Sequence, residues 1–408
     1  MQSLSEGPTA PEREKTIRMK CRFFACLLSI SLCGLLSCSS TNSVVTTNGT
    51  GVLYIAAQGD SSLTAYTVTL SNGALTQLGA AQSTGTSPFA IALSPVRNAL
   101  FVDNITSETI SGYTINSDGT VTAGTGTAKT GTMPMGMAID PAGKFLFVAN
   151  QGSSNISVFS ISSAALTAVP GSPFSTIPAG STVPTGPSAV AVSATGNFLY
   201  VANTFTNTVS GYSVSSTGGL TVLGGSPFAV GLAPSALATP PSGAFLYVAN
   251  TATNNISAFN ICDKIVLSCS DVNNPNGNLT PVTGSPFSGG GSPVAIAIDP
   301  AFGFLYVLDR TSNQIASFAY GTGSGVLTAL SATPTVSTGQ APASFVVVSG
   351  TTGVNIGNTL TNPTDFVYVV NNESSTLSVF TLNTITGVLT PLGMAVNTSV
   401  NPTSVAAQ

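Results

Sequence analysis

A short apolar segment recurs along the chain and constrains the fold more than any other feature. Its fullest form is Phe198-Leu199-Tyr200-Val201-Ala202-Asn203, and similar segments lie roughly 46 to 62 residues apart. The seven copies are Leu53–Ala57, Leu100–Asn104, Leu146–Asn150, Leu199–Asn203, Leu246–Asn250, Leu305–Asp309 and Val367–Asn371. A recurring period of this length indicates a repeat architecture. We therefore predict one closed array rather than two or three separate domains.

Each repeat carries four strand-like pieces. The first begins with proline, as in Pro88–Leu93, and the recurrent segment is the second. The third and fourth are typified by Ile156–Ile161 and Gly219–Leu223. Proline and glycine between the pieces, as in Asp140-Pro141-Ala142-Gly143, supply the backbone angles of turns. Seven repeats of four antiparallel strands predict an all-β fold, a seven-bladed β-propeller.

The two ends of the array are out of phase with each other. The chain enters at a second strand, Val52–Ala56, and leaves at a first strand, Pro402–Ala407. These two pieces complete one blade, so we predict that the C-terminal strand pairs with the N-terminal blade and closes the ring. An open solenoid would need polar caps at its ends, and the sequence shows none. The predicted propeller spans residues 51–408.

Composition limits the possible partners. Charged residues make up 6% of the chain, against a usual quarter or so, and histidine is absent. The cations after Cys38 are Arg97, Lys129, Lys144, Lys264 and Arg310. Nucleic-acid binding needs clustered basic residues, so we do not expect it. Because titratable groups are few, we also expect stability to change little between neutral and mildly acid pH.

The first 50 residues predict export. Residues 1–37 read as a leader and signal peptide, with Met19 as a possible true start and an apolar run at Phe23–Leu36. That run ends in Leu35-Leu36-Ser37-Cys38, which resembles a bacterial lipobox. The resemblance implies cleavage before Cys38 and attachment of diacylglycerol to its sulfur. An ordinary signal peptide that happens to contain Cys38 is the alternative.

The lipobox interpretation also predicts where the protein works. Residues 38–50 would form a flexible Ser/Thr-rich tether between the anchor and the propeller. The chain would then be held on a membrane through its lipid, in the outer membrane, the periplasm or the cell surface.

Two cysteines remain in the predicted mature chain. Cys262 and Cys269 are seven residues apart, and in an exported domain we expect them to form a local disulfide. A metal site is the alternative, but two thiols without histidine do not make a zinc tetrad.

The repeat also resembles a known group of proteins. Leu-Tyr-Val-Ala-Asn resembles the YVTN repeat of bacterial surface propellers. Together with the turns Gly171–Phe174, Gly225–Phe228 and Gly284–Phe287, the array is similar to the lactonase-like seven-bladed propellers. That group includes phosphogluconolactonases, lactonising enzymes and exported proteins. The resemblance implies lactone hydrolysis by histidine, glutamate and arginine near the axis.

The chain departs from that pattern because it has no histidine. A carboxylate base, Glu373 or Asp309, with Arg310 as the electrophile is the catalytic set that remains. The first strands, which would line the channel, carry no titratable side chain. Three functions therefore stay open. They are a surface binding or scaffold module, a lactone hydrolase of the 6-phosphogluconolactonase type, and a structural or adhesive surface protein.

Four carboxylates on the predicted top rim come from neighbouring blades, namely Asp309, Glu373, Asp60 and Asp103. They would either form a crescent able to hold Ca²⁺ or stay separate and solvated. No calcium-loop spacing occurs, so we predict no cofactor and no metal, with Asp60 and Asp103 as the candidate ligands if a cation binds. The partner at the top face is expected to be a small molecule, a glycan or an envelope protein.

Overall fold

The computed structural model describes residues 50–263, 276–299, 303–331, 334–349 and 364–408, apart from the side chains of Thr50, Thr364 and Met394. The regular elements in these ranges are all β-strands. No helix in the described ranges has the length and hydropathy to cross a membrane. The predicted leader, Cys38, the tether up to residue 49 and Cys269 lie outside the described residues. These four expectations therefore stay predictions.

The strands form seven antiparallel sheets, which we number as blades in chain order. Blade 1 begins with β1 (Thr50–Ala57), β2 (Ser62–Thr69) and β3 (Ala74–Ser83), and its fourth strand comes from the end of the chain. Blade 2 contains β4 (Pro88–Leu93), β5 (Ala99–Asn104), β6 (Thr109–Ile115) and β7 (Val121–Lys129). Blade 3 contains β8 (Pro134–Ile139), β9 (Phe145–Asn150), β10 (Asn155–Ser162), β11 (Ala165–Ala168) and β12 (Phe174–Ser175).

The remaining four blades follow the same order, and the last strand of the chain completes blade 1. They contain β13 (Pro187–Val192), β14 (Phe198–Asn203), β15 (Thr208–Val214), β16 (Leu220–Val222) and β17 (Phe228–Ala229); β18 (Pro234–Ala238), β19 (Phe245–Asn250), β20 (Asn255–Ile261), β21 (Leu279–Pro281) and β22 (Phe287–Ser288); β23 (Pro293–Ile298), β24 (Phe304–Asp309), β25 (Gln314–Tyr320), β26 (Leu327–Ala329) and β27 (Thr335–Ser337); β28 (Pro342–Val348), β29 (Thr364–Asn371), β30 (Thr376–Asn383) and β31 (Leu389–Asn397); and β32 (Pro402–Ala407).

The inner strands surround one axis. They are β4, β8, β13, β18, β23, β28 and β32, and each lies at the end of its sheet beside a second strand. Successive inner strands pack against one another, with β32 between β28 and β4. We call the end of the axis where the inner strands begin the top, and the end where they finish the bottom.

The ring is closed by the last strand. β32 pairs with β1 from Leu53 opposite Ala407 to Ala57 opposite Pro402. Beyond this register Gln408 exchanges two backbone hydrogen bonds with Val52, at 2.8 and 3.1 Å. The predicted seven-bladed architecture and the predicted closure are therefore both confirmed.

The second strands are buried on both faces. Every residue of β5, β14, β19 and β24 is buried. A blade packs against a neighbour on each side, so its strands read as continuous apolar runs rather than as alternating ones. In the described ranges the buried apolar side chains form seven clusters, and each cluster joins two adjacent blades.

The outer strand differs from the single piece that the sequence predicts. In blades 3 to 6 it is split in two, and both halves pair with the third strand. In blades 3, 4 and 5 the Gly-Ser-Pro-Phe turn causes the split, because proline has no N–H to donate. At the split, the serine of each turn accepts an N–H of the third strand, for example from Val158 to Ser172 Oγ at 2.9 Å.

A tyrosine hydroxyl links each of five blades to the next. Tyr306 donates from its hydroxyl to the Gly387 carbonyl at 3.1 Å, across the boundary between blades 6 and 7. The same bond joins Tyr54 to Gly119, Tyr200 to Gly277, Tyr247 to Gly325, and Tyr368 to Gly73. The acceptors are all turn glycines, and phenylalanine replaces tyrosine in blades 2 and 3, at Phe101 and Phe147.

The same turn glycines receive an aromatic ring. Gly387 has a φ of 70°, and a Cβ atom there would lie 2.5 Å from the ring of Phe304 in the preceding blade. Gly277 against Phe198 and Gly325 against Phe245 repeat this contact. Glycine is therefore needed twice, for its left-handed backbone and for the space that the ring fills.

We expect Gly387→Ala to destabilise the fold more than Gly393→Ala. Both glycines have a φ of 70°, but a Cβ atom at Gly393 would meet nothing within 4 Å. Alanine in the left-handed region costs about 1 kcal/mol or slightly more at either site. The clash at Gly387 adds a further ~1–3 kcal/mol. Chemical denaturation measures both variants, and equal losses would show that the ring contact adds nothing.

Candidate functional site

The top rim is built from a turn that every blade repeats. The residue before each inner-strand proline has a positive φ; the set is Ser87, Met133, Gly186, Ala233, Ser292, Ala341 and Asn401. In blade 6 the Ser292 carbonyl accepts the Arg310 N–H at 3.2 Å, and the Ser292 N–H donates to Asn254 Oδ1 of blade 5 at 2.8 Å. Such conformations cost about 1–2 kcal/mol per non-glycine residue. Bonds of this kind hold the rim in one shape.

Three of the predicted rim charges are exposed. Arg310, Glu373 and Asp60 lie on the top turns that follow the second strands of blades 6, 7 and 1. Asp60 accepts a hydrogen bond from the Ser62 hydroxyl at 2.9 Å. The top turns thus place Arg310 and Glu373 on adjacent blades, with both side chains in solvent.

Asp309 is not an exposed rim residue. It is 1% exposed at the end of β24, beneath the loop Gly289–Gly291. A Cβ atom at Gly290 would overlap its carboxylate. Burial raises the pKa of Asp309 to about 6, and a bond from the Gly291 N–H opposes this rise. The carboxyl is therefore covered by the backbone of the loop that connects blade 5 to blade 6.

Asp309 stands where five other blades have asparagine. In those blades the amide donates to a serine seven residues later, at 2.8 to 3.1 Å; the pairs are Asn104–Ser111, Asn150–Ser157, Asn203–Ser210, Asn250–Ser257 and Asn371–Ser378. Blade 6 has Ala316 at the serine position. A carboxylate has no N–H to donate to a serine. In blade 6 both members of the pair therefore differ from those of the other five blades.

Asp103 is buried as well. It is 0% exposed, and its Oδ1 accepts the Ala90 N–H at 2.5 Å, where β4 bulges against β5. Its Oδ2 has no hydrogen-bond partner among the described residues. Burial raises the pKa of Asp103 to about 7, although backbone N–H groups of Ala90 and Phe89 bond to it. The other blades have an apolar residue here.

The carboxylates of the predicted crescent thus have different environments. Asp60 and Glu373 are in solvent, whereas Asp103 and Asp309 are buried in separate blades. Within the described ranges, no three His, Cys, Asp or Glu residues lie close enough together to hold a metal ion.

A cavity lies at the bottom of the axis, opposite the predicted rim site. It has a volume of about 340 Å³ and is formed by the inner strands of blades 2 to 6 and the first turns of blades 2 to 5. Met137, Ile139, Val192, Leu237 and Ile298 are among the lining residues, and Thr239 contributes the polar side chain. Polar atoms, mostly of the backbone, share this surface with the apolar side chains, so the cavity suits a ligand that has an apolar part.

The top loops carry a second unpredicted feature. Five of the eight large apolar side chains exposed in the described ranges lie there, and they are Met133, Val183, Phe205, Leu232 and Val400. Phe205 is 58% exposed, and its ring lies against Gly186, whose φ is 62°. Sequence reasoning missed these residues because it followed charge. The sequence does indicate that Phe205 is unusual, because three other repeats have a small residue at the equivalent position, namely Gly59, Gly152 and Ala252.

We expect stability to fall as the pH rises from 5 to 8. Asp103 and Asp309 have pKa values near 7 and 6 in the folded chain, against about 3.9 when unfolded. The folded state therefore holds protons that the unfolded state has lost, and this stabilisation disappears as the pH passes through 6 and 7. Because these two carboxyls are buried, we no longer expect the nearly pH-independent stability that composition predicts.

Melting temperatures from pH 5 to 8 test this expectation. Asp103→Asn, and Asp309→Asn combined with Ala316→Ser, should each flatten the curve and raise the melting temperature at pH 8 by a few degrees. Asp118→Asn is the control, because Asp118 is exposed and hydrogen bonds from Thr120 lower its pKa. A wild-type curve that rises toward pH 8 would contradict the assignment.

Comparison with solved structures supports the architecture. A putative 6-phosphogluconolactonase from Bacteroides fragilis superposes with a TM-score of 0.72 at 18% identity, over 89% of this chain and 99% of that one. The periplasmic gluconolactonase of Pseudomonas aeruginosa gives a TM-score of 0.69 at 19% identity, over 88% and 99%. At such identities the likeness concerns the fold alone. No curated protein matches the sequence.

A family model identifies the chain more directly. The model described as "Lactonase, 7-bladed beta-propeller" matches residues 39–122, 90–170, 165–266 and 277–406. These matches cover most of the chain and nearly all of the described ring. The protein therefore belongs to the lactonase family of seven-bladed β-propellers.

Proposed function

We propose that this chain is an exported, lipid-anchored propeller whose top face binds a partner at the cell envelope. The observation that carries the proposal is the group of exposed apolar side chains on the top loops. Four of them, Met133, Val183, Phe205 and Leu232, come from loops of consecutive blades, and an exposed apolar patch on such a surface is typical of an interaction site. A rigid ring that presents such residues on loops suits binding, because loops on a fixed scaffold commonly carry recognition.

The orientation of the chain supports the proposed anchor. β1 begins at Thr50 on the bottom face, so the tether would leave the ring on the side opposite the apolar top loops. The twelve residues from Cys38 to Thr50 would reach about 40 Å when extended. A lipid on Cys38 would thus hold the bottom toward the membrane and leave the top free.

Phe205→Ser combined with Leu232→Ser should abolish binding to the envelope, whereas the same change at Ile385, on a bottom turn, should not. We expect the chain from residue 39 onward, which has neither the lipid nor the leader, to cosediment with envelope polysaccharide or envelope protein. The full-length protein should fractionate with membranes, and the chain from residue 39 should not. Equal cosedimentation of the Phe205 and Ile385 variants would remove the top-face site.

Lactone hydrolysis is the alternative that family membership favours. In this case Glu373 would activate water for attack on the lactone carbonyl, and Arg310 would stabilise the oxyanion that forms. Asp309, the other candidate base, is covered by the glycine loop that connects blade 5 to blade 6. The exposed pair on adjacent top turns is then the set available for catalysis.

Turnover of gluconolactone and 6-phosphogluconolactone by purified protein decides between the two functions. A hydrolase should lose at least about a hundredfold in kcat/KM in Arg310→Ala and in Glu373→Ala. Glu108→Ala is the matched control, because Glu108 is exposed on the equivalent turn of blade 2. A binding module should show no turnover above the uncatalysed rate, and equal turnover in every variant would exclude Glu373 and Arg310.

A further inference from the structure

The bottom cavity is separate from the top face and has no part in the function proposed above. It is open to solvent and is lined by the last residues of five inner strands and by the turns that follow four of them, so its walls belong to the ring. At about 340 Å³ it falls within the range of small-molecule sites. Its apolar side chains include Met137, Ile139, Leu237 and Ile296. The hydrophobic effect favours filling such a site with an apolar group.

Two cations lie on the first turns beside this cavity. Pro95 and Pro141 line it, and Arg97 and Lys144 follow them in the same turns of blades 2 and 3. Arg97 donates from Nε to the Gly143 carbonyl at 3.0 Å, so its guanidinium is held across the boundary between the two blades. The remaining guanidinium N–H groups and the Lys144 ammonium are exposed.

The two carboxylates on the same first turns are buried. Asp140 and Asp299 are 6% and 0% exposed. The oxygens of Asp140 accept the backbone N–H groups of Ala142, Lys144 and Phe145, at 2.6 to 3.2 Å. On the first turns that the structure describes, the exposed charged residues are therefore Arg97 and Lys144, and both are positive.

We propose that the bottom cavity binds the hydrocarbon chain of a single-chain anionic amphiphile, with its head group at Arg97 and Lys144. A medium-chain carboxylate has the required chemistry, namely an aliphatic part for the apolar wall and an anion for the cationic turns. Val96, beside Arg97, is 58% exposed, and its side chain lies against Gly143 of blade 3, so the turn that carries the cation also has an exposed apolar side chain.

Titration calorimetry with dodecanoate, below its micellar concentration, tests the proposal. The protein is the full chain carrying Cys38→Ser, so that no detergent is needed. We expect one saturable site per chain. Dodecyltrimethylammonium, which has the same chain and the opposite charge, should bind about tenfold more weakly, and butyrate should not saturate.

Three variants assign the site. Leu237→Gln should weaken dodecanoate about tenfold, because it replaces an apolar wall residue by a polar one. Arg97→Ala with Lys144→Ala should weaken it about fivefold and reduce the preference over dodecyltrimethylammonium. Lys129→Ala, which removes an exposed cation at the top end of β7, should change neither.

The absence of saturable dodecanoate binding would overturn the proposal. So would unchanged affinity in the Arg97 and Lys144 double variant, and this second criterion holds even if Leu237→Gln fails to fold. The Phe205 and Leu232 double variant should bind dodecanoate normally. Failure of the amphiphile site is thus distinguishable from failure of the top-face site.

Discussion

The structure depends on contacts between neighbouring blades. Each blade is a small sheet with both faces apolar, and neither face is satisfied until a neighbour covers it. The turn glycine and the aromatic ring that covers it make this contact specific, because any side chain at Gly387 would displace Phe304. The tyrosine hydroxyl bond to the same glycine, as at Tyr306, fixes the register of one blade against the next. A ring is the solution in which no blade lacks a neighbour.

The fold was predictable from the sequence because each repeat shows the same order of strand types. The apolar Leu-Tyr-Val-Ala-Asn strand, the inner strand beginning with proline, and the phase difference between Val52 and Pro402 all agree on a closed ring. The split outer strand was not predicted. Its cause is local, since Pro173 has no N–H for the ladder and the Ser172 hydroxyl, rather than a backbone carbonyl, accepts the Val158 N–H; composition alone does not reveal such an exchange.

The candidate sites were harder to predict for a physical reason. The sequence predicts that Asp103 and Asp309 are rim charges, either solvated or holding a cation, because carboxylates are seldom buried. In the ring the strand ends that carry them are covered, by a bulge in β4 at Asp103 and by the glycine loop at Asp309. Comparison of repeats did contain the signal, since Ala316 replaces serine only where Asp309 replaces asparagine. The bottom cavity gave no such signal, because five strands from distant parts of the chain create it together.

The meeting of β1 and β32 has a consequence for the order of the blades. Val52 and Gln408 are joined by two backbone bonds, so the first and last strands of the ring are already in contact. Linking them covalently and opening the chain at a loop elsewhere in the ring would preserve every blade boundary. The ring is thus suited to circular permutation, and the blade that happens to be assembled from two separated segments has no privileged place in the architecture.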